Sequence, residues 1–309
     1  MDVAPPRYRL AAAALKAFSL NGATKSGYRW LGNRIGGGSR SKSVQSHYIA
    51  RAHGNLAFLE RNGAVHDGMA AMELGTGWVH WEALFTRLFY DIEVTLFDVW
   101  DNRQFDAFLH HARTLGERLE ETGRPADAIA KARELCSKIA GCRDFGEAYD
   151  LLGFTYIIAG DGSIGALEDA SLDLVFSSDV MEHIPADTLP RLAGQLRRKL
   201  RTGGHATQQI VQADHLCIYA RSAHPKTYLA FDDRQWRRWF ENDVQYFNRW
   251  QHSDFVELFS DAGFAVVDQE IVETADTSGL DIAERWRDYD RNDLDATVTR
   301  LLVQNRQDS

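Results

Sequence analysis

Apolar positions change their period along the chain, and each change marks an element. Residues 44–63, "VQSHYIARAHGNLAFLERNG", place apolar side chains at helical spacing up to Gly63, which predicts a helix stopped by glycine. The short unbroken run "GMAAMEL" (68–74) predicts a strand, and "WVHWEALFTRLFY" (78–90) an apolar helix. "IEVTLFD" (92–98) is rich in β-branched residues and ends on an acid, so it reads as a second strand. Residues 101–152 read as helical with breaks at "TGRP" and "AGCRDFG", too long for a plain crossover and therefore an inserted helical element. "FTYIIAGD" (154–161), "LDLVFSSD" (172–179) and "HATQQIV" (205–211) predict strands, with a helix over 186–200 stopped by "RTGG". A helix over 252–263, capped by Ser253 and stopped by Gly263, precedes strands at 264–273 and 296–304.

Strands and helices thus alternate from 68 to 271, the pattern of an α/β fold with a doubly wound, mostly parallel sheet. The last two strands have no strong helix between them, so one is expected antiparallel. Ligands of such sheets sit at the carboxyl ends of the strands, where the winding reverses. The expected organisation is an N-terminal helical and lid segment (1–65), then one domain (66–309) with insertions near 101–152 and 212–250. Residues 19–43 are rich in Gly and Ser and read as loop or lid. Residues 10–20, "LAAAALKAFSL", read as an amphipathic helix rather than a signal-peptide core, since Lys16 interrupts them. The segment 212–250 mixes aromatics with Arg and Lys and has no clear period. It suits the wall of a small-molecule site, a partner interface, or a solvated helix with a core stripe.

Composition narrows the functional classes. Of 309 residues 44% are hydrophobic and 26% charged, enough for a sizeable core. The net charge of −9 argues against a nucleic-acid partner. Arg29, Arg34, Arg40, Lys42 and Arg51 make the N-terminal stretch locally basic, and among so many Gly and Ser they read as a mobile arm. No run reaches the ~20 apolar residues of a membrane span, so no membrane partner is expected. Cys136, Cys142 and Cys217 form no CxxC pair, which suggests neither a disulfide framework nor a zinc site, and fits a reducing, cytoplasmic compartment. No metal site is expected. A homodimer is a compatible assembly.

The candidate chemistry lies in "AMELGTGWVH" (71–80). A dinucleotide loop wants a third glycine where His80 stands, and Trp78 presses into the turn, so a pyrophosphate cradle is disfavoured. An ordinary tight turn is the plainer alternative. Context favours a ligand loop. Glu73 precedes it and would repel phosphate but suit an ammonium group. Asp98 ends the second strand, where a carboxylate can accept from both ribose hydroxyls. Asp161 ends the third, where it can accept from an exocyclic adenine amine. Three acids at successive strand ends suit an adenosine ligand with a cationic tail and no phosphate, as in S-adenosylmethionine.

Together "AMELGTGW", "VTLFD", "IIAGDG", "ASLDLVFSSDVMEHI", "LRRKLRTGGHATQQI" and "HSDFVELFSDAGFAVVDQEIV" resemble a class I S-adenosylmethionine-dependent methyltransferase, over about 66–304. The chain also looks like a bacterial subgroup with a Gly-Thr-Gly-Trp first motif and an Asp-His pair after strand five. Two departures stand out: Trp78 replaces the family's usual third glycine, and Gln208 replaces the subgroup's usual His. The resemblance implies a seven-stranded Rossmann-like sheet with the last strand antiparallel. It places Glu73, Gly75, Thr76 and Gly77 at the methionine end, Asp98 at the ribose, Asp161 with Gly162 at the adenine, and Ser178 beside them. His183, just past strand four, and His215 with Asp214, past strand five, are the candidate catalytic groups. A hydroxyl acceptor needs a base, and Asp214 is placed to orient a ring. The Asn-Pro-Pro-Tyr run of amino-directed members is absent at 177–180, so nucleobase methylation is disfavoured. The expected activity is methyl transfer to a small-molecule acceptor, a hydroxyl of a sugar or secondary metabolite. A non-catalytic S-adenosylmethionine-binding module and a nicotinamide-dependent oxidoreductase are the alternatives.

Overall fold

The computed structural model describes residues 4–28, 30, 32, 44 and 46–306. Seven strands form one sheet: β1 (Ala70–Leu74), β2 (Glu93–Asp98), β3 (Phe154–Ile158), β4 (Leu172–Ser178), β5 (Leu200–Val211), β6 (Phe264–Thr274) and β7 (Ala296–Asn305). Their order is β3-β2-β1-β4-β5-β7-β6. The strands from β3 to β5 pair in parallel, while β7 lies between β5 and β6 and runs antiparallel to both. This is the seven-stranded sheet with an antiparallel strand that the resemblance implied. The winding reverses between β1 and β4, and both strands end in the same crevice.

The central strands are buried on both faces, as parallel strands must be. Ala71, Val94, Leu96, Leu174 and Phe176 point into one core, which also takes α2 (Ser46–Arg61), α3 (Trp81–Phe89), α4 (Phe105–Glu117) and α5 (Ala126–Ile139). Met72, Leu74, Phe97 and Val175 point into the other, packed by α7 (Leu189–Lys199) and α9 (His252–Asp261). The 101–152 insertion is helical as expected. It runs through α4, a 3-10 turn at Leu119–Thr122, α5 and α6 (Phe145–Leu152). Its breaks fall where Gly123 adopts φ +64° and where Asp144 caps α6, accepting from Glu147 N at 3.0 Å.

A third core lies apart from the sheet. The face of α1 (Pro6–Phe18) carrying Tyr8, Ala12 and Leu15 packs on Tyr228, Trp236, Phe240, Phe247 and Trp286. The aromatics of 212–250 are therefore largely core, supported by 3-10 turns at His215–Ile218 and Thr227–Ala230 and by α8 (Asp233–Trp239). The final short helix, α10, spans Arg291–Asp295.

Several expectations shift. β5 begins at Leu200, just ahead of the expected "RTGG" stop, and runs through it, with Leu172 paired to Leu200 before the register slips. The cap of α9 is Gln251 with Asp254 in a reciprocal box, and Ser253 bonds Asp293 instead. Within the expected loop at 19–43, residues 22–28 are helical. Arg29, Arg34, Arg40 and Lys42 lie outside the described residues. Among the described residues no helix is long and apolar enough to cross a membrane.

Candidate active site

The loop after β1 is fastened to the end of β2. Gly75 and Thr76 donate their amides to Phe97 O at 2.8 and 3.2 Å, and Gly77 donates to Asp98 Oδ2 at 3.0 Å. Both glycines have positive φ, +73° and +62°. A Cβ at Gly75 would sit 2.4 Å from Val180 Cγ2, so the turn after β4 closes directly on this loop. A Cβ at Gly77 would meet nothing within 4 Å, so this side of the loop opens on free space. Asp98 also accepts from Val99 N at 2.7 Å. Burial pushes its carboxyl above the ordinary value, and the amide donors oppose that rise.

Around Asp98 the rim is apolar. Val99, Trp100 and Ile158 are exposed side chains at the ends of β2 and β3. Gly162 lies 3.9 Å from Val99 Cγ1, measured from the Cβ it lacks, so the two strand-end turns face each other. β3 ends at Ile158, earlier than expected, and Asp161 lies in the following turn, exposed and accepting from Ser163 N at 3.0 Å. Trp78 is half-buried against the first core rather than standing in solvent.

Glu73 faces inward. Its Oε2 accepts from the Thr76 hydroxyl at 2.9 Å, and Ala83 N lies 3.4 Å away. Thr76 Oγ1 also meets His80 Nδ1 at 2.7 Å, and His80 Nε2 meets the Tyr149 hydroxyl at 2.7 Å. With the Thr76 hydroxyl given to Glu73, the consistent tautomer has His80 donating from Nδ1 and accepting at Nε2. His80 is fully buried, which drives its pKa down to about 3 and keeps the ring neutral. Glu82, also buried, raises the Glu73 carboxyl further; burial itself is the larger cause.

Arg51 compensates this acidic cluster. It reaches Glu82 at 2.7 and 3.1 Å and Asp179 at 2.5 Å. It therefore belongs to no mobile arm: α2 carries it into the floor of the crevice. Asp179 adopts φ +59° and also accepts from Gln209 at 3.2 Å, and Ser178 Oγ accepts from Asn55 at 2.9 Å. Arg51, Glu82 and Asp179 escaped the sequence reading. The available signal was Glu82, an acid beside Trp81 in the mostly apolar first turn of α3.

His183 and His215 come together. Their rings stack with centroids 4.7 Å apart and 25° between planes. His183 donates from Nδ1 to Tyr246 O at 2.8 Å, and its ring edge stays open to solvent in a walled cleft. Surrounding protein lowers its basicity, and the same desolvation, with His183 adding to it, drives His215 down to about 3. Phe247 packs edge-on against His215 at 5.1 Å. Asp214 does not orient this ring. Its Oδ2 takes the Tyr8 hydroxyl at 2.6 Å, its Oδ1 accepts from Leu216 N at 3.0 Å, and His215 Nδ1 has no partner. Consecutive side chains diverge here, and Asp214 serves α1 instead. Gln208 is fully buried and accepts from Ser177.

Residues 45–269 match a family described as a methyltransferase domain. The chain belongs to this family. It is a methyltransferase with S-adenosylmethionine as cofactor, and the open side of Gly77 beside the buried Asp98 is consistent with such a ligand. No curated protein matches the chain significantly. Among solved structures the methyltransferase is similar to Haemonchus contortus phosphoethanolamine N-methyltransferase 2 at 16% identity and TM-score 0.45, covering 82% of this chain and 52% of the other. The chain thus spans about half of that protein. It is similar to a proposed sarcosine dimethylglycine methyltransferase from Galdieria sulphuraria (10% identity, TM-score 0.47, coverage 84% and 86%). It is also similar to an S-adenosylmethionine-dependent methyltransferase from Mesorhizobium loti (17%, 0.44, 80% and 96%).

Proposed function

We propose that this methyltransferase alkylates a hydroxyl of a small-molecule acceptor, a sugar or secondary metabolite, with His183 and His215 activating that hydroxyl. The observation that carries the reading is the stacked histidine pair, set on the turns after β4 and β5. Val180 fixes that first turn against Gly75, so the pair opens beside the loop that would hold the methionine end of the cofactor. Asp98 would hold the ribose, Asp161 and Gly162 the adenine edge, and Glu73, Thr76, Gly77 and Ser178 the remaining wall. When bound, the cofactor supplies an electrophilic methyl on a sulfonium. The protein supplies alignment and withdraws the hydroxyl proton.

A panel of sugar and phenolic hydroxyl acceptors, assayed by release of S-adenosylhomocysteine, tests this. With a turning-over acceptor, His183→Ala or His215→Ala is expected to lower kcat by about 10²–10⁴-fold and leave cofactor affinity nearly unchanged. Full rate in both variants would point to an acceptor that is already nucleophilic, and the hydroxyl reading would fall.

A further inference from the structure

The turn at Met181–His183 carries a carboxyl that nothing yet described explains. Glu182 is 1% exposed, and neither of its carboxylate oxygens has a hydrogen-bond partner. Buried polar atoms are nearly always paired, so a buried carboxyl with neither oxygen bonded calls for an explanation. His215 Nδ1 is a second buried atom without a partner. His183 has committed Nδ1 to Tyr246 O, which leaves its Nε2 lone pair free. One ligand atom from each of these three residues lies within 4.8 Å of the others.

We propose that Glu182, His183 and His215 form a binding site for a divalent transition-metal ion that binds and acidifies the acceptor hydroxyl. This rests on the hydroxyl reading above. One carboxylate and two imidazoles suit Zn²⁺, Mn²⁺ or Fe²⁺ better than Ca²⁺ or Mg²⁺. Three protein ligands leave positions open for the acceptor. An ion bonded at about 2.1 Å holds tetrahedral ligands about 3.4 Å apart, so the cluster needs only a modest contraction and a splaying of the stacked rings. The His183 ring is held at Nδ1 by Tyr246 O and stacked on His215, so it is already partly oriented. The Tyr246 carbonyl fixes its tautomer, as the outer partner of a metal-bound histidine commonly does. Asn248 N holds the Glu182 carbonyl at 2.9 Å, and Phe247 walls His215.

With both rings serving as ligands, neither acts as the base of the reading above, and the acceptor O–H, acidified by the ion, releases its proton to solvent beside His183. The oxygen pair forms the new O–CH₃ bond as the S–CH₃ bond breaks, and the sulfonium keeps that bonding pair as a neutral thioether. The ion lowers the pKa of the hydroxyl and undergoes no redox change. Its ligands sit on turns after two different strands, so no short spacing motif announces them.

The test uses untagged full-length protein freed of metal with chelator. CoCl₂ is titrated while the visible absorption of bound Co²⁺ is followed, ZnCl₂ is used to compete, and S-adenosylhomocysteine binding is measured in parallel by calorimetry. One Co²⁺ per chain, displaced by Zn²⁺, is expected. Glu182→Gln and His183→Ala should each weaken uptake by about a hundredfold or more, with S-adenosylhomocysteine affinity retained. His183 is open to solvent, so His183→Ala keeps the test valid even if Glu182→Gln does not fold. No uptake at millimolar metal, or uptake unchanged in both variants, overturns the site while leaving the methyltransferase intact. Metal uptake without S-adenosylhomocysteine binding upholds the ion site and overturns its catalytic use.

Discussion

At the scale of single residues, legibility followed from whether a side chain's partners are local. Asp98 was legible as a strand-end carboxylate, and it accepts from the adjacent Val99 N and from Gly77 N in the loop after β1. Asp98→Ala removes two charged acceptor positions from the proposed ribose subsite. It is expected to weaken S-adenosylmethionine binding by about 2–4 kcal/mol in calorimetric titration, and unchanged affinity would remove Asp98 from the subsite. Gly75 and Gly77 look alike in sequence, but the structure separates them. A methyl at Gly75 meets Val180, whereas one at Gly77 meets open space. Gly75→Ala should therefore cost stability, about 1–3 kcal/mol from backbone strain and crowding, and loosen the turn that carries His183. Gly77→Ala pays only the strain but narrows the open side, so urea unfolding should show the smaller loss and cofactor titration the larger. Equal effects in both assays would mean the two positions are not distinguished by their surroundings. Glu182 and Arg51 were unreadable because their neighbours come from β5, α3 and α2, and only the fold brings those together.

At the scale of elements, period and punctuation carried the sheet. All seven strands could be placed, since β1 to β4 are short apolar runs bounded by polar or helical stretches, and between β6 and β7 the chain forms only a 3-10 turn and the short α10. What failed was the region whose order depends on distant packing. The aromatics of 212–250 have no period because they fold around α1, and nothing in "PRYRLAAAALKAF" reveals that Tyr8 reaches Asp214 across most of the chain. Tyr8→Phe leaves the buried Asp214 without its only side-chain donor among the described residues. A loss of about 1–3 kcal/mol is expected. Because the contact joins α1 to the turn bearing His215, hydrogen exchange should rise in 6–18 and 214–230 before it rises in the central strands. A uniform rise would show that α1 and the sheet unfold as one unit.

At the scale of the whole molecule, the aromatic core must be joined to the sheet, and Lys226 stands at that joint. It is fully buried, and its ammonium donates to Tyr228 Oη at 3.1 Å and Gln251 Oε1 at 2.9 Å. Tyr228 passes the chain on to Gln212 O at 3.0 Å, so the insertion, the start of α9 and the end of β5 share one network. Burial drives the Lys226 pKa down to about 7, with Asp293 and Asp295 resisting the fall. In the unfolded chain a lysine titrates near ~10.4. Between these values the unfolded state holds a proton that the folded state has released, so stability rises with pH across that window. The contribution is complete above the unfolded value and is lost as pH falls through about 7. Lys226→Met cannot titrate and serves as the reference. Urea unfolding at pH values from 6.5 to 9.5 should show wild type gaining on the variant by up to about 1.4 kcal/mol per pH unit above neutrality. Groups whose surroundings the substitution leaves unchanged cancel in that difference. A flat difference would mean that Lys226 stays charged in the folded protein, and that the joint is held by an ammonium fully stabilised by its oxygen partners.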